Sequence, residues 1–298
     1  MSANVVAFVP NVTGRLHIGN TLTYFANWLL ARRYGHSVVV IPDWSSKQEQ
    51  TMDDVTVWRR QTLDELTDLG IRPDRFLCAD EVLELRPAGE VIRASANTLQ
   101  HCYVCDCLDY PTPMMHVYDP CARTLEHSRP KAVLRLKRYG LYVGCVADGK
   151  YWLGHDVVMI QLYQNAGVTR MVRGLDLRAY AERQSWILQT LGPMLGWHPI
   201  ETLISPTLQT NGVKLAKSTG AVPTIETIKA IGQVGLLEAL YAVLQSRSAK
   251  GMSLRAMAEE FEPHRIPQES ICVHRLFRAH ELDDGHYCQR AVTSRRPE

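Results

Sequence analysis

An α/β fold built on a parallel sheet is predicted by three features of this 298-residue sequence. Residues 5–43 read as a strand, helix, strand unit. Further strand and helix signals follow, and the last third reads as mostly helical. The apolar share, 46% of residues, is enough to bury a substantial core.

Residues 5–9 form an apolar run ending at Pro10, and the turn Asn11-Val12-Thr13-Gly14 follows. Over 21–34 the apolar residues Leu22, Phe25, Ala26, Leu29 and Leu30 recur at helical spacing, with Gly35 as the stop. Residues 37–41, SVVVI, are a β-branched strand closed by Pro42 and Asp43. A polar stretch at 45–51 leads into a helix over 52–69, stopped by Gly70. A less regular region then carries four cysteines. Strands are predicted at 132–136 and 168–172, and helices at 177–191, 224–230 and 234–245. From about His274 the chain reads as a partly ordered tail.

Lys and Arg total 33 against 31 Asp and Glu, a formal charge of +2, so no whole-chain field points to nucleic acid or a membrane. No apolar run approaches the roughly 20 residues of a membrane span. The N-terminus carries neither a basic leader nor a long apolar segment, which predicts a cytoplasmic protein without a membrane partner. Of eight cysteines, Cys102, Cys105, Cys107 and Cys121 fall close together, a pattern of metal binding more than of a disulfide scaffold. Cys78, Cys145 and Cys272 read as buried apolar residues.

Two motifs carry chemistry. Pro10 to Asn20, PNVTGRLHIGN, lies where a strand ends and a helix opens, so backbone amides and the helix dipole there favour an anion such as a phosphate. Gly19 permits close approach, and His17 can donate to a phosphate oxygen. Some 200 residues later, Asn211-Gly212 precedes Lys214-Leu215-Ala216-Lys217-Ser218, two lysines suited to charge building on nucleotide phosphates.

Together these elements resemble the HIGH and KMSKS signatures of class I aminoacyl-tRNA synthetases. The segments FVPNVTGRLHIGN, GVTRMVRGLD (167–176) and NGVKLAKS are similar to the glutamyl group, especially the short glutamyl-queuosine tRNA(Asp) synthetases. The resemblance implies a Rossmann-like catalytic domain whose first half is 1–95 and second half, with the lysine loop, 141–220. It implies an inserted subdomain with the cysteine cluster at 96–140, and a helical C-terminal region with a tail at 221–298. The implied chemistry is attack of a carboxylate on the α-phosphate of ATP, with Mg2+ assisting, then acyl transfer.

The same resemblance assigns roles. His17, Lys214 and Lys217 are the catalytic candidates. Pro10, Thr13, His17, Gly19, Asn20, Gly174, Asp176, Lys214 and Lys217 are the ATP-binding candidates. His17 and the amides near Gly19 and Asn20 would hold phosphates, while Gly174 and Asp176 would border the ribose. The family's zinc site uses Cys-x-Cys followed by Tyr-x-x-x-Cys. Here Cys105-Asp106-Cys107 precedes Tyr118-Asp119-Pro120-Cys121, one residue shorter in the last spacing. Three thiolates and a fourth donor would close a structural zinc tetrahedron, with Tyr118, Cys102, His101 or His116 as candidates for the fourth place.

The acyl pocket departs from the family. Ala7 stands where the glutamyl group has a substrate-binding Arg, Pro42 where it has a Glu for the α-amino group, and His155 where it has a Tyr; Arg173 matches. Ala7, Asp43, His155 and Arg173 would therefore line a rebuilt pocket. This predicts adenylation of a non-glutamate carboxylic acid and transfer to a small-molecule amine or hydroxyl, independent of tRNA, in natural-product biosynthesis. The alternative is a glutamyl-queuosine tRNA(Asp) synthetase with an unusual pocket, for which tRNA is the partner. A third reading is a non-catalytic nucleotide- or RNA-binding module. The stretch 123–138, with six basic residues and one acidic, does not by itself establish tRNA binding.

Overall fold

The computed structural model describes residues 4–11, 15–43, 52–77, 91, 102–105, 115–119, 124–128, 132–136, 141–147, 150–153, 155–210, 213–215 and 224–272, and over 102–155 the backbone alone. Strand β1 (Val5–Phe8) leads into helix α1 (Ile18–Tyr34) and then β2 (Ser37–Val40), which pairs parallel with β1 from Val5↔Ser37 to Phe8↔Val40. Both strands are continuous apolar runs because both sheet faces are covered. Val6, Phe8, Val38 and Val40 pack on the α1 side, whereas Ala7, Val39 and Ile41 join a second cluster with Met159, Leu162 and Tyr163.

Helix α1 begins at Ile18, three residues before the apolar periodicity, because His17 caps it. Helix α2 (Met52–Asp68) follows, and β3 (Arg75–Phe76) joins β2 in parallel. Six strands come next: β4 (Cys102–Cys105), β5 (Met115–Asp119), β6 (Thr124–Ser128), β7 (Ala132–Leu136), β8 (Leu141–Ala147) and β9 (Lys150–Leu153). The cysteine region, expected to be irregular, is thus antiparallel sheet in its described parts. Strands β5 and β6 pair with each other, and the rest form a sheet in the order β4-β7-β8-β9. Because β8 and β9 belong to that sheet, it runs past residue 140, the limit expected for the insertion, to Leu153.

Helix α3 (His155–Asn165), absent from the periodicity reading, returns the chain to β10 (Val168–Gly174), which lies parallel to β1 on the side away from β2. A 3-10 turn (Leu175–Leu177), α4 (Arg178–Leu195) and β11 (Glu201–Ser205) complete a parallel sheet of order β11-β10-β1-β2-β3. Strands β12 (Leu208–Thr210) and β13 (Val213–Lys214) are antiparallel. The two helices expected at 224–230 and 234–245 are the halves of α5 (Thr224–Gln245), which leaves helical geometry at Gly232. Helix α6 (Leu254–Glu259) follows, and β14 (Ile271–Cys272) pairs with β12, so the C-terminal part is not wholly helical. Cys272 is exposed, not buried as expected. Among the described residues no helix is long and apolar enough to cross a membrane.

One break in this sheet creates the site. Strands β1 and β10 pair only as far as Ala7↔Met171, while β10 continues with β11 to Gly174↔Ser205. Val172 has therefore lost β1 as a partner, and a buried backbone pair without partners is costly. Asn27, fully buried on α1, takes that place: the Val172 N–H donates to Asn27 Oδ1 (2.7 Å) and Asn27 Nδ2 donates to the Val172 carbonyl (2.9 Å). Asn27→Leu, close in volume but unable to bond, is expected to lower stability by about 2–5 kcal/mol, read from urea unfolding.

Candidate active site

A cavity of about 680 Å3 opens where β1 and β10 part, at the carboxyl ends of the parallel strands. Chain order reverses across this boundary, β1 leading to β2 on one side and β10 lying on the other, the position at which open α/β sheets bind ligands. Ala7 and Pro10 line the cavity from the end of β1. The Asp43 N–H donates to the Pro10 carbonyl (2.8 Å) and Asn11 bridges Asp43, which carries the β1–β2 pairing onward and places Asp43 in the wall.

His17, Gly19 and Asn20 line the wall at the start of α1. The Gly19 N–H donates to His17 Nδ1 (3.1 Å), and the His17 N–H donates to Asn20 Oδ1 (3.5 Å), so the side chain of His17 is itself the helix cap. With Nδ1 accepting, the neutral ring carries its proton on Nε2, a donor. A Cβ at Gly19 would meet His17 Cε1 at 3.0 Å, so the ring folds over this turn only because residue 19 lacks a side chain. The Gly19 amide, one of those expected near the phosphates, donates to the His17 ring in this structure.

Gly174, Asp176 and Lys214 also line the cavity. Lys214 Nζ, delivered by β13, forms an ion pair with Asp176 Oδ2. A Cβ at Gly174 would lie 2.6 Å from Asp176 Oδ1, so a glycine is required for this carboxylate to fold back. Two residues expected to meet different parts of a nucleotide therefore meet each other.

The remaining wall holds a buried charge. Arg173 is 5% exposed. Its Nη2 donates to Tyr163 Oη (2.7 Å) and Gln184 Oε1 (2.7 Å), and its Nε to Met171 Sδ (3.0 Å). The guanidinium lies 5.6 Å from the Tyr163 ring centre and 5.0 Å from that of Tyr180, within cation–π range. Among the described residues its hydrogen bonds all go to neutral acceptors; Asp156 is one step behind, accepting from Gln184 Nε2 (3.2 Å). A buried cation whose direct hydrogen bonds all go to neutral groups can attract an anion into the cavity it lines. Tyr163, Tyr180, Gln184 and Asp156 were not singled out from the sequence, since nothing in their local pattern separates them from ordinary helix residues.

Of the other expected residues, Thr13, Lys217, Cys107 and Cys121 lie outside the described residues. His155 is the first residue of α3, Cys105 the last of β4, and Tyr118 falls in β5, each described by backbone position. Among the described residues no group of three His, Cys, Asp or Glu is placed to hold a metal.

No family model matches the chain. A glutamate–tRNA ligase of Beijerinckia indica is 36% identical over 108 residues, 35% of this chain and 22% of that ligase. The glutamyl-Q tRNA(Asp) synthetase of Ralstonia nicotianae is 26% identical over 254 residues, covering 72% of this chain and 77% of that enzyme. A crystal structure of a glutamate tRNA ligase from Elizabethkingia meningosepticum, in complex with its amino acid, superposes with a TM-score of 0.64 at 14% identity, over 97% of this chain and 70% of that one. The chain is thus similar in sequence to glutamate–tRNA ligases and a glutamyl-Q tRNA(Asp) synthetase, and it shares its fold with a solved glutamate tRNA ligase. It matches under a quarter of the Beijerinckia ligase, and 52% of a glutamate–tRNA ligase of Alkalilimnicola ehrlichii at 26% identity.

The buried phenols of the site give it a pH signature. Burial raises Tyr163 from 10.0 to about 12, against the opposing pull of Arg173, and burial also raises Tyr180, with Tyr163, Asp156 and Asp43 adding to it. A raised folded pKa stabilises fully below the unfolded value and is lost as pH climbs through the folded one. For Tyr163 the window is therefore pH 10 to about 12. Urea midpoints are expected to fall across it, with a shallower slope in Tyr163→Phe.

Proposed function

We propose that this chain is an ATP-dependent ligase that activates a carboxylic acid as its adenylate and passes the acyl group to a tRNA, as the name of its Ralstonia relative describes for glutamate and tRNA(Asp). The observation that carries the reading is that one cavity is lined by the His17 cap, the Lys214–Asp176 pair and the buried Arg173. Arg173, with Ala7, Asp43 and His155, would hold the acid. His17 Nε2–H would donate to phosphate oxygens, with Pro10, Thr13, Gly19 and Asn20 around them and Gly174 and Asp176 beside the ribose.

In the first step an acid oxygen attacks the α-phosphorus, an O–P bond forms, and the bond to pyrophosphate breaks. Lys214, released from Asp176, and Lys217 would take the charge that collects on the departing pyrophosphate. Mg2+ carried on the nucleotide supplies further charge neutralisation. In the second step a hydroxyl of the acceptor attacks the acyl carbon and AMP leaves.

A specific observation keeps a second reading in play. Ala7 and Pro42 stand in buried positions where the glutamyl group carries an Arg and a Glu, which argues against glutamate and for a different acid, transferred to a small amine or hydroxyl. The relatives reported above are named as tRNA ligases and synthetases, which favours the tRNA acceptor over a natural-product role. ATP–pyrophosphate exchange across a panel of acids, glutamate included, followed by charging of tRNA(Asp), separates these. Exchange with glutamate and charging supports the first reading; exchange with another acid and no charging supports the second. ATP binding with no exchange for any acid would leave the non-catalytic module.

His17→Asn is the sharper test of mechanism, because Asn is itself a good helix cap but lacks the Nε2 donor. It is expected to slow exchange by roughly 100-fold while shifting stability by less than about 1 kcal/mol. The zinc expected on Cys105, Cys107, Tyr118 and Cys121 belongs to this proposal as a structural ion. Metal analysis of purified protein is expected to give close to one equivalent, and well under one would remove it.

A further inference from the structure

The backbone entering His17 is gripped by two helices remote in sequence. Leu16 is 1% exposed; its N–H donates to Glu65 Oε2 on α2 (3.2 Å), and its carbonyl accepts from the N–H of Thr224, the first residue of α5 (3.0 Å). The Thr224 hydroxyl also meets the Thr21 hydroxyl at 2.7 Å, one turn into α1. Glu65 is 5% exposed, and its other oxygen lies 3.8 Å from Arg15 Nε. Neighbours of Glu65 along α2, such as Trp58 and Leu66, belong to the main hydrophobic cluster. Placing a carboxylate at such a depth carries a desolvation cost, offset here by its bond to the Leu16 amide and by the nearby Arg15.

We propose that Glu65 is a positioning residue for His17. By fixing the Leu16 amide it sets where His17 begins α1, and therefore where Nε2–H points in the cavity. This inference rests on the reading of His17 as a phosphate-contacting group.

The test uses the full chain as wild type, Glu65→Gln, Glu65→Leu and Glu65→Asp. Glu65→Gln keeps an oxygen acceptor for Leu16, Glu65→Leu removes it, and Glu65→Asp withdraws it by one methylene. In ATP–pyrophosphate exchange, Glu65→Leu and Glu65→Asp are expected to lose roughly 10- to 100-fold in kcat with a much smaller change in KM for ATP, and Glu65→Gln to stay within about threefold. The 15N signals of the His17 ring, identified by their loss in His17→Asn, are read on the protein without ligand. They are expected to leave the Nε2–H form in Glu65→Leu and Glu65→Asp but not in Glu65→Gln. Unchanged ring signals, or equal kcat in all variants, would overturn the proposal. If the wild type exchanges with no acid, the ATP reading falls while the ring signals still decide for or against positioning. If Glu65→Leu does not fold, Glu65→Asp carries the comparison.

Discussion

Parallel strands that stop sharing hydrogen bonds leave backbone groups behind, and at Val172 those groups are buried. Asn27 answers both with one side chain, at 2.7 and 2.9 Å. Without such a substitute, β1 and β10 would either remain paired and close the crevice or expose unsatisfied amide and carbonyl. The gap then fixes what can be reached from it. The end of β1 supplies Ala7 and Pro10, the end of β10 supplies Arg173 and Gly174, and the start of α1 comes to the rim with His17. The cavity is thus a consequence of where one ladder ends.

Charge is distributed across that cavity in two ways. Arg173 is buried, bonded to neutral partners beside aromatic faces, with the Asp156 and Asp43 carboxylates close enough to act on Tyr163 and Tyr180. Lys214 and Asp176, by contrast, are partly exposed and neutralise each other. A buried, fixed cation selects a ligand anion at equilibrium, whereas an exposed pair in high dielectric holds together weakly and parts easily. The two groups therefore suit different tasks. Under the proposed reaction Arg173 would hold the acid beforehand, and Lys214 would respond as charge develops.

The strand, helix, strand opening was legible because β1 and β2 are buried on both faces and read as unbroken apolar runs. The cap was half legible: His17 and Gly19 stood out as a motif, but not that the ring would take the Gly19 amide for itself, which depends on ring geometry. Helix α3 was missed because it is buried nearly all round, Val157, Ile160, Gln161 and Leu162 included, with polar residues spread among the apolar ones, so no 3.6-residue stripe marks it. In the cysteine region the strand at 132–136 was legible, whereas its neighbours were missed because their short runs mix polar residues and cysteines without a clear alternation. The support around Arg173 was illegible for another reason: Tyr163, Tyr180 and Gln184 matter only through contacts made after α3 and α4 pack.

The same reasoning explains why the site draws on widely separated stretches of chain. Leu16 bonds to Glu65 49 residues away, and Thr21 meets Thr224 across 203. Loop-closure entropy rises only logarithmically with length, so contacts this distant are affordable once a core pays for the chain's order. That core is shared: α1, α2, α5 and α6 all contribute to the cluster holding Leu16. The His17 turn thus cannot take its shape locally, since its Leu16 amide and carbonyl are both completed by other helices. Its geometry is a property of the whole packed domain, and the helix that follows the lysine loop is one of the elements that set it.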